Sequence, residues 1–166
     1  VAYLGLLPSF FAQLRWLETP DTEGVSRGTL ALALAVFVPK GCDIGAYFTG
    51  RAIGRHRMTP LLSPKKTWEG AAGGLALAAV IAVGFTALRP RPEYGLLKAV
   101  AFGLGVGGLG MLGDLAESLV KRDGQKKDAS QVVPGFGGVL DVVDAIVFAA
   151  PLAYLWLTTG WATPLG

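Results

Sequence analysis

Residues 69–88 read EGAAGGLALAAVIAVGFTAL, a 20-residue run whose only charge is Glu69 at its start. A helix rises about 1.5 Å per residue, so a run of this length crosses a hydrocarbon core of about 30 Å. Within that core no water is present to bond the backbone. A lone apolar run therefore has one stable form, a helix that bonds its own N–H and C=O groups. Any other apolar stretch in the chain must pack beside it.

Composition agrees with this reading. The chain is 52% apolar and only 16% charged, against about 25% charged in ordinary soluble domains. Four further apolar stretches lie at 1–17, 28–50, 95–120 and 139–160. The first is short and holds Pro8 and Arg15. The second is long enough to cross, but Pro39-Lys40-Gly41 and Asp43 interrupt it, which predicts a broken helix. The third is rich in glycine, with Gly103 and Gly107 on one face, where small residues let membrane helices approach closely. The last opens on Asp141 and Asp144 and ends near Trp156 and Trp161, which suit a membrane interface. No two-residue alternation persists, so strands are not expected, and no internal repeat is evident. The expected fold is all-α, a polytopic integral membrane helical bundle over residues 1–166 with about five membrane segments, a broken helix and two cytoplasmic polar loops. The chain opens on Val1 and its first apolar stretch has no basic leader. A signal peptide is therefore not expected, and earlier membrane spans are expected to precede it.

Loop charge predicts orientation. Segment 18–27 holds Glu18, Asp21 and Glu23 against Arg27. Segment 51–66 holds Arg51, Arg55, Arg57, Lys65 and Lys66 with no acid, and segment 121–138 holds Lys121, Arg122, Lys126 and Lys127. Basic loops stay cytoplasmic, and two spans separate these two, so both fall on one face. Arg89, Arg91 and Lys98, with Glu93, run mildly against this. The formal charge of +3 is modest, and no aromatic-plus-basic motif points to nucleic acid. The single cysteine, Cys42, excludes an internal disulfide and reads as a small helix residue. His56 reads as loop surface.

Charge at membrane depth costs roughly 2.5–3.5 kcal/mol per residue at a helix centre, so acids near helix ends need a reason. Asp114, Glu117, Ser118 and Lys121 follow i, i+3, i+4, i+7 spacing and share a helix face. Asp141 and Asp144 share a face at the start of the next span. If segment 122–138 folds back, the two acidic faces meet. Carboxylates from two helices suit Mg²⁺, with phosphates and water completing its shell, and adjacent Lys and Arg suit phosphate oxygens. The alternative is mutual neutralisation of interfacial charges. In SPKKTWEG, residues 63–70, Ser63-Pro64 predicts a turn, and Lys65 and Lys66 then precede a helix N-terminus that suits an anion. The same lysines also read as a positive-inside anchor. Lys40 and Asp43, three apart, either pair, or Asp43 faces the same polar pocket.

These segments resemble the phosphatidate cytidylyltransferase, or CDP-diacylglycerol synthase, family. Asp43, Ala46, Tyr47, Gly50 and Arg51 match its Asp-x-x-Ala-Tyr-x-x-Gly-Arg segment. Ser63 to Gly70 match its Ser-Pro-Lys-Lys-Thr-Trp-Glu-Gly segment at every position. Gly113, Asp114, Glu117 and Ser118 match Gly-Asp-x-x-Glu-Ser. The family signature continues through Lys121-Arg122, Lys127-Asp128, Pro134-Gly135-Phe136-Gly137-Gly138 and Asp141-Val142-Val143-Asp144. The spacing is kept, but Phe136 stands where the family has histidine and Val142 where it has arginine.

The resemblance implies the C-terminal, catalytic portion of an enzyme making CDP-diacylglycerol and pyrophosphate from CTP and phosphatidate with Mg²⁺. On it, catalytic roles are expected for Asp114, Lys121, Arg122, Lys127, Asp128, Asp141 and Asp144, with Asp114, Asp141 and Asp144 holding the metal. Substrate contacts are expected from Asp43, Arg51, Ser63, Lys65, Lys66, Ser118, Gly137 and Gly138. A homodimer in the bacterial cytoplasmic (inner) membrane, with its active site facing the cytoplasm, is the expected setting. A CTP-dependent polyprenol or phytol kinase, a transporter with a broken helix, and an inactive homologue with Phe136 and Val142 are the competing readings.

Overall fold

The structure, a computed structural model, describes residues 6–16, 27–60, 63–87, 95–123 and 139–160, and only the backbone at 27, 120–123, 139–144 and 160. Among these residues the helices are α1 (Leu7–Arg15), α2 (Arg27–Ile53), α3 (Trp68–Ala87), α4 (Leu96–Asp123) and α5 (Val139–Leu155), with a π-helical turn over Trp156–Gly160. Three segments are long and apolar enough to cross a membrane: Gly28–Ile53, Trp68–Ala87 and Leu96–Leu119. A shorter apolar segment covers Ala145–Thr159. The chain is an all-α integral membrane bundle.

Packing explains the small-residue content. The buried positions of α3 are Gly70, Gly74, Ala78, Ala82 and Thr86, one every four residues. That spacing lays a strip of small side chains along one face, on which α2 and α4 can close. A Cβ added at Gly103 of α4 would stand 2.6 Å from Ala79 Cα, and one at Gly107 would stand 2.8 Å from Ala78 Cβ. Gly103 and Gly107 therefore sit against α3, as their shared face predicts. Leu34, Val38 and Cys42 of α2, Phe102 and Val106 of α4, and Ala149 and Ala153 of α5 complete the buried core. Phe37, Ile44, Phe48, Val80 and Leu104 stay exposed on the outer faces, where lipid tails replace water as their solvent.

Two expectations need correction. α2 runs through Pro39 without a break. Proline removes one backbone donor and crowds the preceding turn, but neighbouring helices can hold such a turn within a bundle. Pro39 is fully buried, and a Cβ added at Gly110 of α4 would stand 2.9 Å from Pro39 Cβ. The helix is thus braced where it is weakest, and Lys40 and Asp43 keep helical register.

The second correction is a short antiparallel hairpin, β1 (Arg57–Thr59) and β2 (Ser63–Thr67), where no strands were expected. It pairs Arg57 with Thr67 and Thr59 with Ser63, with an irregularity between them. Ser63-Pro64 is extended and not a turn. A two-stranded ribbon consists of edges, and an edge tolerates the missing N–H of Pro64.

Candidate active site

The hairpin sits between the C-terminus of α2 and the N-terminus of α3, and local chemistry fixes it there. Thr67 Oγ1 accepts a hydrogen bond from the Gly70 N–H at 3.1 Å. This is the N-cap arrangement that satisfies an orphan donor of the first helical turn. Glu69, two residues on, reaches back with its carboxylate. It accepts from the backbone N–H of Arg55 at 3.2 Å and of His56 at 3.2 Å. It also meets His56 Nδ1 at 2.5 Å. His56 is at the surface, as expected, but its ring is engaged. The Trp68 N–H donates to the His56 carbonyl at 3.0 Å, closing the ribbon onto the helix.

Beside this clasp lies a cavity of about 350 Å³, lined from five elements. Helix α2 gives Lys40, Asp43, Ala46 and Tyr47, and β2 gives Lys65, Lys66 and Thr67. Helix α4 gives Met111, Asp114 and Leu115, while Met58, Gly70 and Ala71 fill in from β1 and α3. Three lysines therefore face two aspartates between apolar walls.

Lys66 Nζ stands 2.6 Å from Asp114 Oδ2, linking β2 to α4. The contact is a charge pair by distance, yet Lys66 Nζ is buried and has no aligned hydrogen-bond acceptor among the described residues. The side chains are 25% and 37% exposed, so solvent screens the pair in part. Lys40 Nζ pairs with Asp43 Oδ2 at 3.3 Å along α2. Both alternatives hold together, since Lys40 and Asp43 pair and Asp43 also lines the pocket.

Of the residues singled out from sequence, Asp43, Lys65, Lys66 and Asp114 converge on this cavity. Arg51 lies one turn beyond Tyr47 and donates from Nη1 to the Tyr47 hydroxyl at 2.9 Å, at an exposed position. Ser63 opens β2, and its carbonyl accepts from Thr59 Oγ1 at 3.5 Å. Ser118 is partly buried one turn past Asp114 on α4, and Glu117 beside it is only 5% exposed. Lys121 and Arg122 belong to α4, and Asp141, Val142 and Asp144 to α5, with their side chains outside the described residues. Lys127, Asp128, Phe136, Gly137 and Gly138 lie outside the described residues altogether. The meeting of the two acidic faces falls there as well. Sequence reasoning gave no site role to Tyr47, Thr67 and Glu69. The Thr-x-x-Gly spacing before a helical run was a usable N-cap signal for Thr67.

Asp43 and Asp114 offer hard oxygen donors from two helices. A divalent ion such as Mg²⁺ takes one or two protein carboxylates and completes its shell with phosphate and water, so this donor set fits it. Among the described residues no group of three His, Cys, Asp or Glu side chains gathers, which leaves the remaining positions to substrate, water or further residues.

Comparison with known proteins gives the family of the chain. The pattern of the cytidylyltransferase family matches residues 3–159. The chain is 42% identical over 161 residues to the phosphatidate cytidylyltransferase of Pseudomonas aeruginosa, covering 96% of this chain and 57% of that protein. It is 36% identical over 156 residues to the phosphatidate cytidylyltransferase of Bacillus subtilis, covering 93% of this chain and 55% of that protein. The corresponding Haemophilus influenzae protein is 36% identical over 153 residues, covering 90% and 53%. The chain thus spans about half the length of the curated relatives it matches. All five elements that line the cavity fall within the matched span. The chain belongs to the cytidylyltransferase family.

Proposed function

We propose that this chain forms the catalytic part of a phosphatidate cytidylyltransferase, which transfers CMP from CTP to phosphatidate and releases pyrophosphate. The observation that carries the reading is the cavity between membrane helices where Lys65 and Lys66 of β2 face Asp114 of α4. Its polar wall suits a triphosphate, and its place beside lipid-facing helices suits a substrate whose tails remain in the bilayer. The names of the relatives point the same way.

In the reaction a phosphate oxygen of phosphatidate attacks the α-phosphorus of CTP in line. The new O–P bond forms as the bond from the α-phosphorus to the bridging oxygen breaks, and the electron pair leaves on pyrophosphate. The nucleophile is already an anion near neutral pH, so no strong general base is required. A phenylalanine at position 136 is therefore compatible with turnover. The barrier lies in bringing anions together and in charge on the leaving group, which preorganised cations relieve. Lys40, Lys65 and Lys66 supply such charge at the cavity, and on the family resemblance Lys121, Arg122 and Lys127 would add to it. Lys66 is held by Asp114 until a phosphate oxygen offers a better partner.

Asp114 and Asp43 would hold Mg²⁺, with Asp141, Asp144 and Asp128 as further ligands or supports. When bound, the ion supplies Lewis-acid neutralisation of the triphosphate. Arg51, Ser63, Ser118, Gly137 and Gly138 would contact substrate. The basic segment 51–66 supports a cavity that faces the cytoplasm, by the positive-inside rule, and the bacterial relatives support an inner membrane as its setting. A homodimer follows from the resemblance alone. The test is purified protein with CTP, phosphatidate and Mg²⁺, assayed for pyrophosphate and CDP-lipid. Formation of both together supports the reading, and release of CDP with a phosphorylated lipid overturns it in favour of a kinase.

A further inference from the structure

We infer that Glu69 is a positioning residue, whose carboxylate clasps the Arg55–His56 turn and thereby sets Lys65 and Lys66 at the cavity. This rests on the function proposed above for what the lysines hold, but the clasp itself is geometric. Glu69 sits in the first turn of α3 and lines no part of the cavity. Its two oxygens gather three donors, the N–H of Arg55, the N–H of His56 and the His56 ring. All three lie 13 or 14 residues earlier in the chain, at the open end of the hairpin where Arg57 pairs with Thr67.

The hairpin needs such a clasp. β1 and β2 are three and five residues long, and an isolated two-stranded ribbon is marginal in water. Its pairing is irregular, and Pro64 withholds a donor. Thr67 adds a second tie. Its Oγ1 caps α3 and would lie 2.8 Å from a Cβ placed on Gly54 and 3.0 Å from one placed on Gly50. The end of β2 is therefore wedged against the end of α2. Lys65 and Lys66 directly precede these ties on β2, and Lys66 Nζ must reach Asp114 on a third element. Loosening the Arg55–His56 turn frees the strand that carries both lysines. Only a carboxylate serves all three donors, since an amide offers one acceptor oxygen and a competing NH₂.

The test uses purified protein in lipid nanodiscs and the variant Glu69→Gln, which keeps shape and helix. The first readout is the rate at which an amine-acylating reagent labels Lys66, followed by mass spectrometry. It requires no turnover. Labelling should quicken several-fold, roughly as expected for losing a charge-assisted hydrogen bond. The second readout is kinetic. KM for CTP should rise about tenfold with kcat within about twofold, the pattern for lost ground-state and transition-state binding alike. Glu69→Asp, which keeps the charge on a shorter stem, should recover part of both effects. Unchanged Lys66 labelling overturns the positioning role, as does a fall in kcat at unchanged KM. If the wild-type protein forms no CDP-lipid, the proposed function fails while the labelling result still decides the clasp.

Discussion

Lys66 Nζ and Asp114 Oδ2 stand 2.6 Å apart, an ion pair between a β-strand outside the membrane helices and the long apolar helix α4. The two residues come from motifs 48 positions apart in sequence, and their meeting unites those motifs at one cavity. Lys66 Nζ is itself buried, but the two side chains are 25% and 37% exposed, so solvent screening keeps the pair's contribution to stability small. On the proposed function its value lies in the site, since it would hold a cation and an anion ready at the same point.

Asp114→Asn should lower CDP-diacylglycerol formation on the order of 100-fold or more, the scale for losing a principal electrostatic contact in a site. The thermal midpoint should move little. Near wild-type turnover in that variant removes Asp114 from the chemistry.

Lys66→Met should raise KM for CTP about tenfold or more, with Lys66→Arg falling between it and wild type. Steady-state kinetics over a range of CTP concentrations reads the effect. A KM that stays constant for CTP in Lys66→Met places the triphosphate elsewhere.

Gly103→Val should destabilise the bundle by about 1–3 kcal/mol, because the new side chain meets backbone of α3. A Cβ at Gly103 would lie 2.6 Å from Ala79 Cα, whereas one at Gly84 meets nothing within 4 Å. Gly84→Ala should therefore be neutral or stabilise by up to about 1 kcal/mol through helix propensity. Thermal unfolding in detergent compares the two. Equal midpoints would mean that α3 and α4 do not pack as described.

Phe136→His should change turnover by less than about threefold, because the attacking phosphate needs no base. General acid–base catalysis is worth about 10²–10⁴-fold. A gain of that size on introducing histidine would show that proton transfer at this position limits the reaction.

The membrane helices were legible in the sequence because hydrophobic length is a strong, local signal. The stretch read at 69–88 is α3 at Trp68–Ala87, and that read at 95–120 is α4 at Leu96–Asp123. The hairpin was not legible. Strands of three and five residues are too short for alternation to register, and Pro64 reads locally as a turn. Pro39 misled in the other direction, since its helix is held by Gly110 from a distant segment. The convergence of Asp43, Lys65, Lys66 and Asp114 was visible only as three separate motifs with compatible chemistry. Glu69 escaped because its partners are brought to it by the hairpin, a non-local arrangement that composition and spacing do not encode.

The most direct test follows the phosphorus atoms. The protein, with CTP labelled at the α-phosphate or the γ-phosphate, is incubated with phosphatidate in vesicles, and lipid and aqueous products are separated. The account predicts that the α label enters the lipid as CDP-diacylglycerol while the γ label appears in pyrophosphate. Transfer of the γ label to lipid, with the α label left in CDP, would contradict it.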